Sequence, residues 1–130
     1  MGLILDTSIL IADERGKFDL PGFLMQFPSG QPLIAAVTAS ELLHGVERAQ
    51  DAARRTRRQQ HVEQILAALL VQPFDLSQAR RARTNLIGAH DLQIAAAGIS
   101  GSHQIGTLNA KEFQRVPGLQ VLDASPFRKL

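Results

Sequence analysis

The sequence contains no cysteine, no tryptophan and no tyrosine, and each absence excludes a class of function. Without cysteine there can be no disulfide framework, no thiolate metal site and no cysteine nucleophile. With phenylalanine as the only aromatic residue, stacking of nucleic acid bases on aromatic side chains is disfavoured. No apolar run approaches the roughly 20 residues of a membrane-spanning helix, and the N-terminus lacks the basic flank of a signal peptide. We therefore expect a cytoplasmic protein with no membrane contact.

The composition that remains is that of an ordinary globular domain. Hydrophobic residues make up 45% of the chain and charged residues 20%, far from the composition of disordered proteins. A chain of 130 residues is long enough to bury about two thirds of its unfolded surface. The sequence predicts one domain over residues 1–130.

Positive charge is unevenly distributed, although the net charge is only +2. Seven arginines fall in two clusters: Arg54, Arg55, Arg57 and Arg58, then Arg80, Arg81 and Arg83. Each cluster is explained either by a positive patch that contacts an anionic partner or by a solvated helix face.

Short apolar runs alternate with segments of helical periodicity. The runs predicted as strands are Leu3–Leu5, Pro32–Val37, Val71–Asp75, Gln104–Thr107 and Leu119–Leu122. Between them, Val62, Ile65, Leu66 and Leu69 have the spacing of an amphipathic helix, and Ser77 is a candidate cap for a short helix ending at Arg83. This alternation predicts an α/β fold with a mainly parallel sheet, whose ligands bind at the carboxyl ends of the strands.

Four polar residues are predicted at such strand ends or helix starts: Asp6, Glu41, Asp91 and Asn109. Each has a simpler explanation. Thr38 and Glu41 have the spacing of a capping box. The helix dipole favours an aspartate at a helix start, and asparagine favours turns. Only a meeting of all four at one edge of the sheet would distinguish a functional site from separate caps.

Three carboxylates in one pocket repel each other unless a cation neutralises them. Mg²⁺ prefers oxygen ligands, and carboxylate sites that hold it activate water for attack on phosphodiesters. Other chemistries have less support, because the sequence has no G-x-S-x-G nucleophile motif, no phosphate-binding loop and no closely paired histidines. The residues favour metal-dependent phosphodiester hydrolysis.

Four segments resemble the motifs of a known family. They are Leu3-Ile4-Leu5-Asp6-Thr7-Ser8, Thr38-x-Ser40-Glu41-Leu42, Gly88-Ala89-His90-Asp91 and Thr107-Leu108-Asn109-Ala110-Lys111-Glu112-Phe113. In this order they resemble PIN-domain ribonucleases, specifically VapC-type toxins. The resemblance implies a PIN-like α/β/α domain, usually a homodimer, that uses Mg²⁺ or Mn²⁺ to cut RNA such as tRNA or rRNA. It also implies a VapB-type antitoxin as partner.

The same resemblance assigns roles to residues. It implies that Asp6 and Asp91 are the principal metal ligands, that Glu41 is a third acid, and that Asn109 occupies the family's fourth polar position. Glu112 is a weaker candidate at the same corner. One departure is the segment of only 12 residues between Asp75 and Gly88, which is longer in similar toxins. We expect a truncated bracing helix there and weakened activity.

Two other functions stay open at this point. A catalytically inactive PIN-like module would bind RNA or a protein, with the acids serving as helix caps and the arginines as contacts. A phosphatase of the haloacid dehalogenase type would use Asp6 as nucleophile, but it needs a second aspartate where Ser8 stands.

Overall fold

The alternating pattern forms a five-stranded sheet with helices on both faces. The structure is a computed structural model that describes residues 2–27, 30–81 and 88–129. The strands are β1 (Gly2–Leu5), β2 (Gln31–Ala35), β3 (Leu70–Gln72), β4 (Gln104–Thr107) and β5 (Gln120–Asp123). The helices are α1 (Thr7–Glu14), α2 (Leu20–Met25), α3 (Ala36–Glu47), α4 (Ala52–Ala68), α5 (Leu76–Arg81), α6 (Ala89–Ser100) and α7 (Ala110–Phe113), followed by a 3₁₀ helix (Ser125–Phe127). The predicted α/β class is confirmed.

The strand order is β3-β2-β1-β4-β5, and every neighbouring pair is parallel. The central strand β1 pairs on one side with β2, where Ile4 is opposite Leu33, and on the other with β4, where Ile4 is opposite Ile105. Because the strands are parallel, the carboxyl ends of β1, β2 and β4 lie side by side at one edge.

Side chains of β1 alternate between two apolar cores, one on each face of the sheet. Leu3 and Leu5 point into the core formed with α1 to α4, and Ile4 points into the core formed with α6 and α7. All three are fully buried. The sheet is therefore the middle of three layers. Within the described residues, no helix is both long and apolar enough to cross a membrane.

Helix starts differ from the predictions at two places. The helix α3 begins at Ala36, so Thr38 lies inside it and the predicted capping box with Glu41 is wrong. Asp75, and not Ser77, caps α5, because its Oδ1 accepts a hydrogen bond from the Gln78 N–H at 3.1 Å. The predicted end of that helix at Arg83 lies outside the described residues.

Two other elements also differ from the predictions. The strand β3 covers Leu70–Gln72, where a strand over Val71–Asp75 was predicted. The helix α2 was not predicted at all; Asp19 caps it by accepting a hydrogen bond from the Gly22 N–H.

Candidate active site

Asp6 directly follows β1 and is buried, with only 4% of its surface exposed. Its backbone occupies the cap position of α1, but its carboxylate makes no capping hydrogen bond. Instead Oδ2 accepts hydrogen bonds from Ser8 Oγ at 2.6 Å and from Thr107 Oγ1 at 2.7 Å. The capping explanation is therefore wrong for this side chain, which is held between the ends of β1 and β4.

Glu41 extends from α3 toward the same edge and is half-buried. Its Oε1 accepts a hydrogen bond from Thr7 Oγ1 at 3.0 Å, and that hydroxyl also lies 3.0 Å from Thr38 Oγ1. Since a hydroxyl has one proton, Thr7 donates to Glu41 and accepts from Thr38. The other oxygen of Glu41 lies 3.4 Å from His90 Nδ1 on α6. Glu41 thus connects the start of α1 with the start of α6.

Asp91 lies in the first turn of α6 and is half-buried. Burial raises the pKa of its carboxyl group above the ordinary value, and the negative charges of Asp6, Glu41 and Glu112 raise this pKa further, while His90 opposes them. Asp91 therefore lies within electrostatic range of Asp6, Glu41 and Glu112, each of which is on a different helix or helix start.

Asn109 follows β4 at the cap position of α7, where its side chain makes no capping hydrogen bond. Its backbone N–H donates to Thr107 Oγ1 at 2.8 Å. Its side chain is exposed. Asn109 is therefore connected to Asp6 through one shared hydroxyl group, that of Thr107.

The hydroxyl side chains are the part of the site that sequence reasoning missed. Thr7, Ser8 and Thr107 stand inside the segments quoted for the family resemblance, but only the acids and the amide received roles. Ser8 Oγ also accepts a hydrogen bond from the Leu108 N–H at 3.2 Å. These hydroxyls fix the carboxylates without adding positive charge, which leaves the negative charge of the site available to a cation.

The donor set fits a hard divalent cation in its chemistry. All candidate ligands are oxygen atoms, and the pKa of Asp91 is raised by burial first and then by the neighbouring carboxylates. As the side chains are placed, no three aspartate, glutamate or histidine residues of the described segments are grouped closely enough to hold an ion. The chemical type of these side chains therefore matches a metal centre. Their positions in the described segments do not form a coordination shell.

Comparison with known proteins shows the family of the chain. The PIN domain family matches residues 3–119. Ribonuclease VapC1 of Rickettsia felis is 36% identical over 134 residues, which cover 96% of this chain and 98% of that protein. Ribonuclease VapC of Rickettsia bellii is 37% identical over 131 residues, covering 94% of this chain and 96% of that protein.

The fold also matches a solved complex. The DNA-bound VapBC structure from Salmonella typhimurium superposes with a TM-score of 0.82 at 26% identity, covering 95% of this chain and 98% of that chain. Family match, relatives and fold agree over nearly the whole length. The chain belongs to the PIN-domain family, and its relatives within that family are the VapC-type ribonucleases.

Proposed function

We propose that this chain is a metal-dependent endoribonuclease, the toxin of a type II toxin-antitoxin pair. The observation that carries the proposal is the edge of the sheet at which Asp6 follows β1 and is bound by Thr107 of β4, while Glu41 on α3 contacts His90, the neighbour of Asp91. The names of the relatives support RNA as the substrate class. Within that class we propose structured RNA, tRNA or rRNA, cut in the cytoplasm by one domain comprising residues 1–130.

In this proposal Asp6, Asp91 and Glu41 hold Mg²⁺ or Mn²⁺, and Asn109 orients water or substrate from the edge of the site. A bound divalent ion supplies positive charge that neutralises the carboxylates and acidifies water. Ser8 and Thr107 hold the Asp6 carboxylate in one orientation, and Thr7 does the same for Glu41. Such fixed carboxylates favour the reaction because less reorientation is needed when charge develops.

We also propose a VapB-type antitoxin as the partner that keeps the enzyme inactive. The solved VapBC complex supports this, since its toxin component has the same fold over 95% of this chain.

The proposal is tested by RNA cleavage with Mg²⁺, with EDTA, and with the variants Asp6→Asn and Asp91→Asn. Asparagine preserves the size of the side chain and its ability to accept hydrogen bonds from Ser8 and Thr107, but removes one negative charge. Cleavage and growth arrest should both disappear, because losing the contribution of a metal costs several kcal/mol of barrier. Glu63→Gln, an exposed position on α4, is the matched control and should cut RNA like the wild type.

Persistent cleavage in EDTA, or full activity of Asp6→Asn, would contradict a metal-dependent nuclease. A second function, the inactive binding module, is favoured by the lack of a closely grouped set of three ligands among the described residues. Calorimetry with Mn²⁺ separates the two functions. If the chain is a nuclease, the Asp6→Ala variant should lose a Mn²⁺-binding event that the wild type shows. If it is an inactive module, the variant and the wild type should give the same titration.

A further inference from the structure

A groove lies between α1, α3 and the middle of α4, and the acidic site meets it at Glu41. Glu41 lines this groove together with Glu14, Arg15 and Arg58. The last three also line a second, open cleft of about 440 Å³, with Arg54 and Arg57 on its other wall. The acidic site and this arginine cleft, defined by Arg15, Arg54, Arg57 and Arg58 with Glu14, therefore form one continuous surface.

The arginine cleft carries a surplus of positive charge. It contains four guanidinium groups and one carboxylate, that of Glu14. Glu14 is already paired, because its Oε1 accepts a hydrogen bond from Arg58 Nε at 3.2 Å. Arg15 and Arg57 are exposed and have no acidic partner within the described segments. Their charge is available to an external anion.

The arginines of the first cluster, Arg54, Arg55, Arg57 and Arg58, make different contacts. Arg58 also donates to the carbonyl of Gly45 at 2.9 Å, so it fastens α4 to α1 and α3. Arg55 faces away from the cleft and binds the carbonyl and carboxylate of Glu47 at 3.0 and 3.4 Å. Arg54 lines the cleft but lies 3.5 Å from Asp51 in an exposed pair, which contributes little to stability. The sequence alone could not show which arginine makes which contact.

We propose that the arginine cleft binds backbone phosphates of the RNA strand next to the bond that is cut. This inference rests on the proposed function. Arg15 follows α1 directly and Asp6 precedes it, so a rise of 1.5 Å per residue places their backbones about 13 Å apart. A few nucleotides of RNA span this distance. Guanidinium groups bind phosphate oxygens in pairs of hydrogen bonds and read no base, so the cleft adds affinity without sequence preference.

The test measures binding of a labelled single-stranded RNA to the Asp6→Asn protein, which keeps the RNA intact. Adding Arg15→Gln and Arg57→Gln should weaken binding severalfold. It should also flatten the dependence of log affinity on log salt by about 0.7 for each phosphate that the cleft no longer neutralises. Arg55→Gln removes one positive charge from α4 outside the cleft, and should leave the salt slope unchanged. Arg58 is left intact because it holds α4 in place.

The cleft variant is the Asp6→Asn protein that also carries Arg15→Gln and Arg57→Gln. If it and the Arg55→Gln variant bind RNA equally well and with equal salt slopes, the proposal is overturned. It would also be overturned if the cleft variant kept RNA affinity but lost affinity for polyglutamate, since the cleft would then fit an acidic protein segment. Cleavage by the wild-type chain is measured separately with Mg²⁺. A chain that cuts no RNA but shows the cleft effect would refute the nuclease and retain the phosphate site, so the two failures are distinguishable.

Discussion

At the scale of single residues, Asp6 shows how the fold holds a charge that it does not neutralise. A buried carboxylate is costly unless hydrogen bonds compensate for lost water. Ser8 and Thr107 supply two, each worth about 1.5–3 kcal/mol when the acceptor is charged. No lysine or arginine pairs with Asp6 in the described part of the chain. The metal-free protein therefore carries unrelieved repulsion among its acids.

Asp91 makes this repulsion measurable. Its pKa is raised above 3.8 in the folded protein, so the folded state holds the proton more tightly than the unfolded state. The free energy of unfolding should therefore fall as pH rises from below 3.8 through the raised pKa, and remain lower above it. Asp91→Asn should remove this component. Urea denaturation in EDTA over a pH series measures the effect.

Glu63→Gln is again the control, because it removes an exposed carboxylate on α4 and leaves Asp91 and its neighbours intact. An Asp91→Asn profile that parallels the wild-type profile would mean that the pKa of Asp91 is not raised in solution. Above the raised pKa the carboxylate is ionised and available to a metal, so cleavage should decline as pH falls through the same range.

The acids could be identified from sequence because each comes near a strand end or a helix start. The hydroxyl groups that orient them could not. Thr107 is separated from Asp6 by 101 residues, and their contact requires that β4 lie beside β1. Serine and threonine are common at helix starts, so Thr7 and Ser8 gave no distinct signal without the strand order.

At the scale of elements, local sequence was misleading where two signals overlapped. Pro21 and Gly22 usually mark a turn, but proline is tolerated in a first helical turn and Asp19 caps α2. The apolar run through Val37 predicts a longer strand than the one that ends at Ala35. The helix α3 begins directly after it, which moves Thr38 from a cap to an internal contact of Thr7.

Gly106 shows how tightly α2 packs beneath the site. A Cβ atom at this position in β4 would lie 2.9 Å from Phe23 Cζ. The ring cannot move aside easily, because it is fully buried and packs edge-on against three other phenylalanines: Phe18, Phe27 and Phe127. We expect Gly106→Ala to lower the free energy of unfolding by about 1–3 kcal/mol through overpacking.

Gly45→Ala is the matched control for urea denaturation. It lies within α3, where a Cβ atom meets only Arg58 Cδ at 3.9 Å. Alanine is favoured over glycine in a helix interior by about 0.5–1 kcal/mol, so this variant should be more stable than the wild type. Equal stability of Gly106→Ala and the wild type would mean that the α2 layer is loosely packed.

At the scale of the whole molecule, the strand order was the step that sequence could not supply. Apolar runs separated by helices predict a parallel sheet, but several orders satisfy that pattern. Insertion of β1 between β2 and β4 brings Asp6 beside the residues that follow both strands. The short segment after Asp75 is described only in part. Helix α5, which has 6 residues, packs against α6 there.

Exposed apolar side chains remain at one edge of the sheet. Four exposed apolar side chains lie in the short stretch that contains the edge strand β3 and the start of α5: Leu70, Val71, Phe74 and Leu76. Large apolar patches on a soluble domain mark contact surfaces, and an edge strand also presents unpaired backbone groups. We expect two copies to pair about a two-fold axis through this stretch.

The pairing is tested by light scattering at micromolar concentration without antitoxin. The wild-type chain should have the mass of a dimer, and Phe74→Asp should have that of a monomer, because a charge would then be buried against its counterpart in the second copy. Met25→Asp introduces the same charge at a position that is 77% exposed on α2, and should remain a dimer. A monomeric wild type would refute the pairing. In a two-fold dimer the same surface of both copies meets, so Phe74→Asp would bring two negative charges into the interface. If this variant is still a dimer, the interface lies elsewhere.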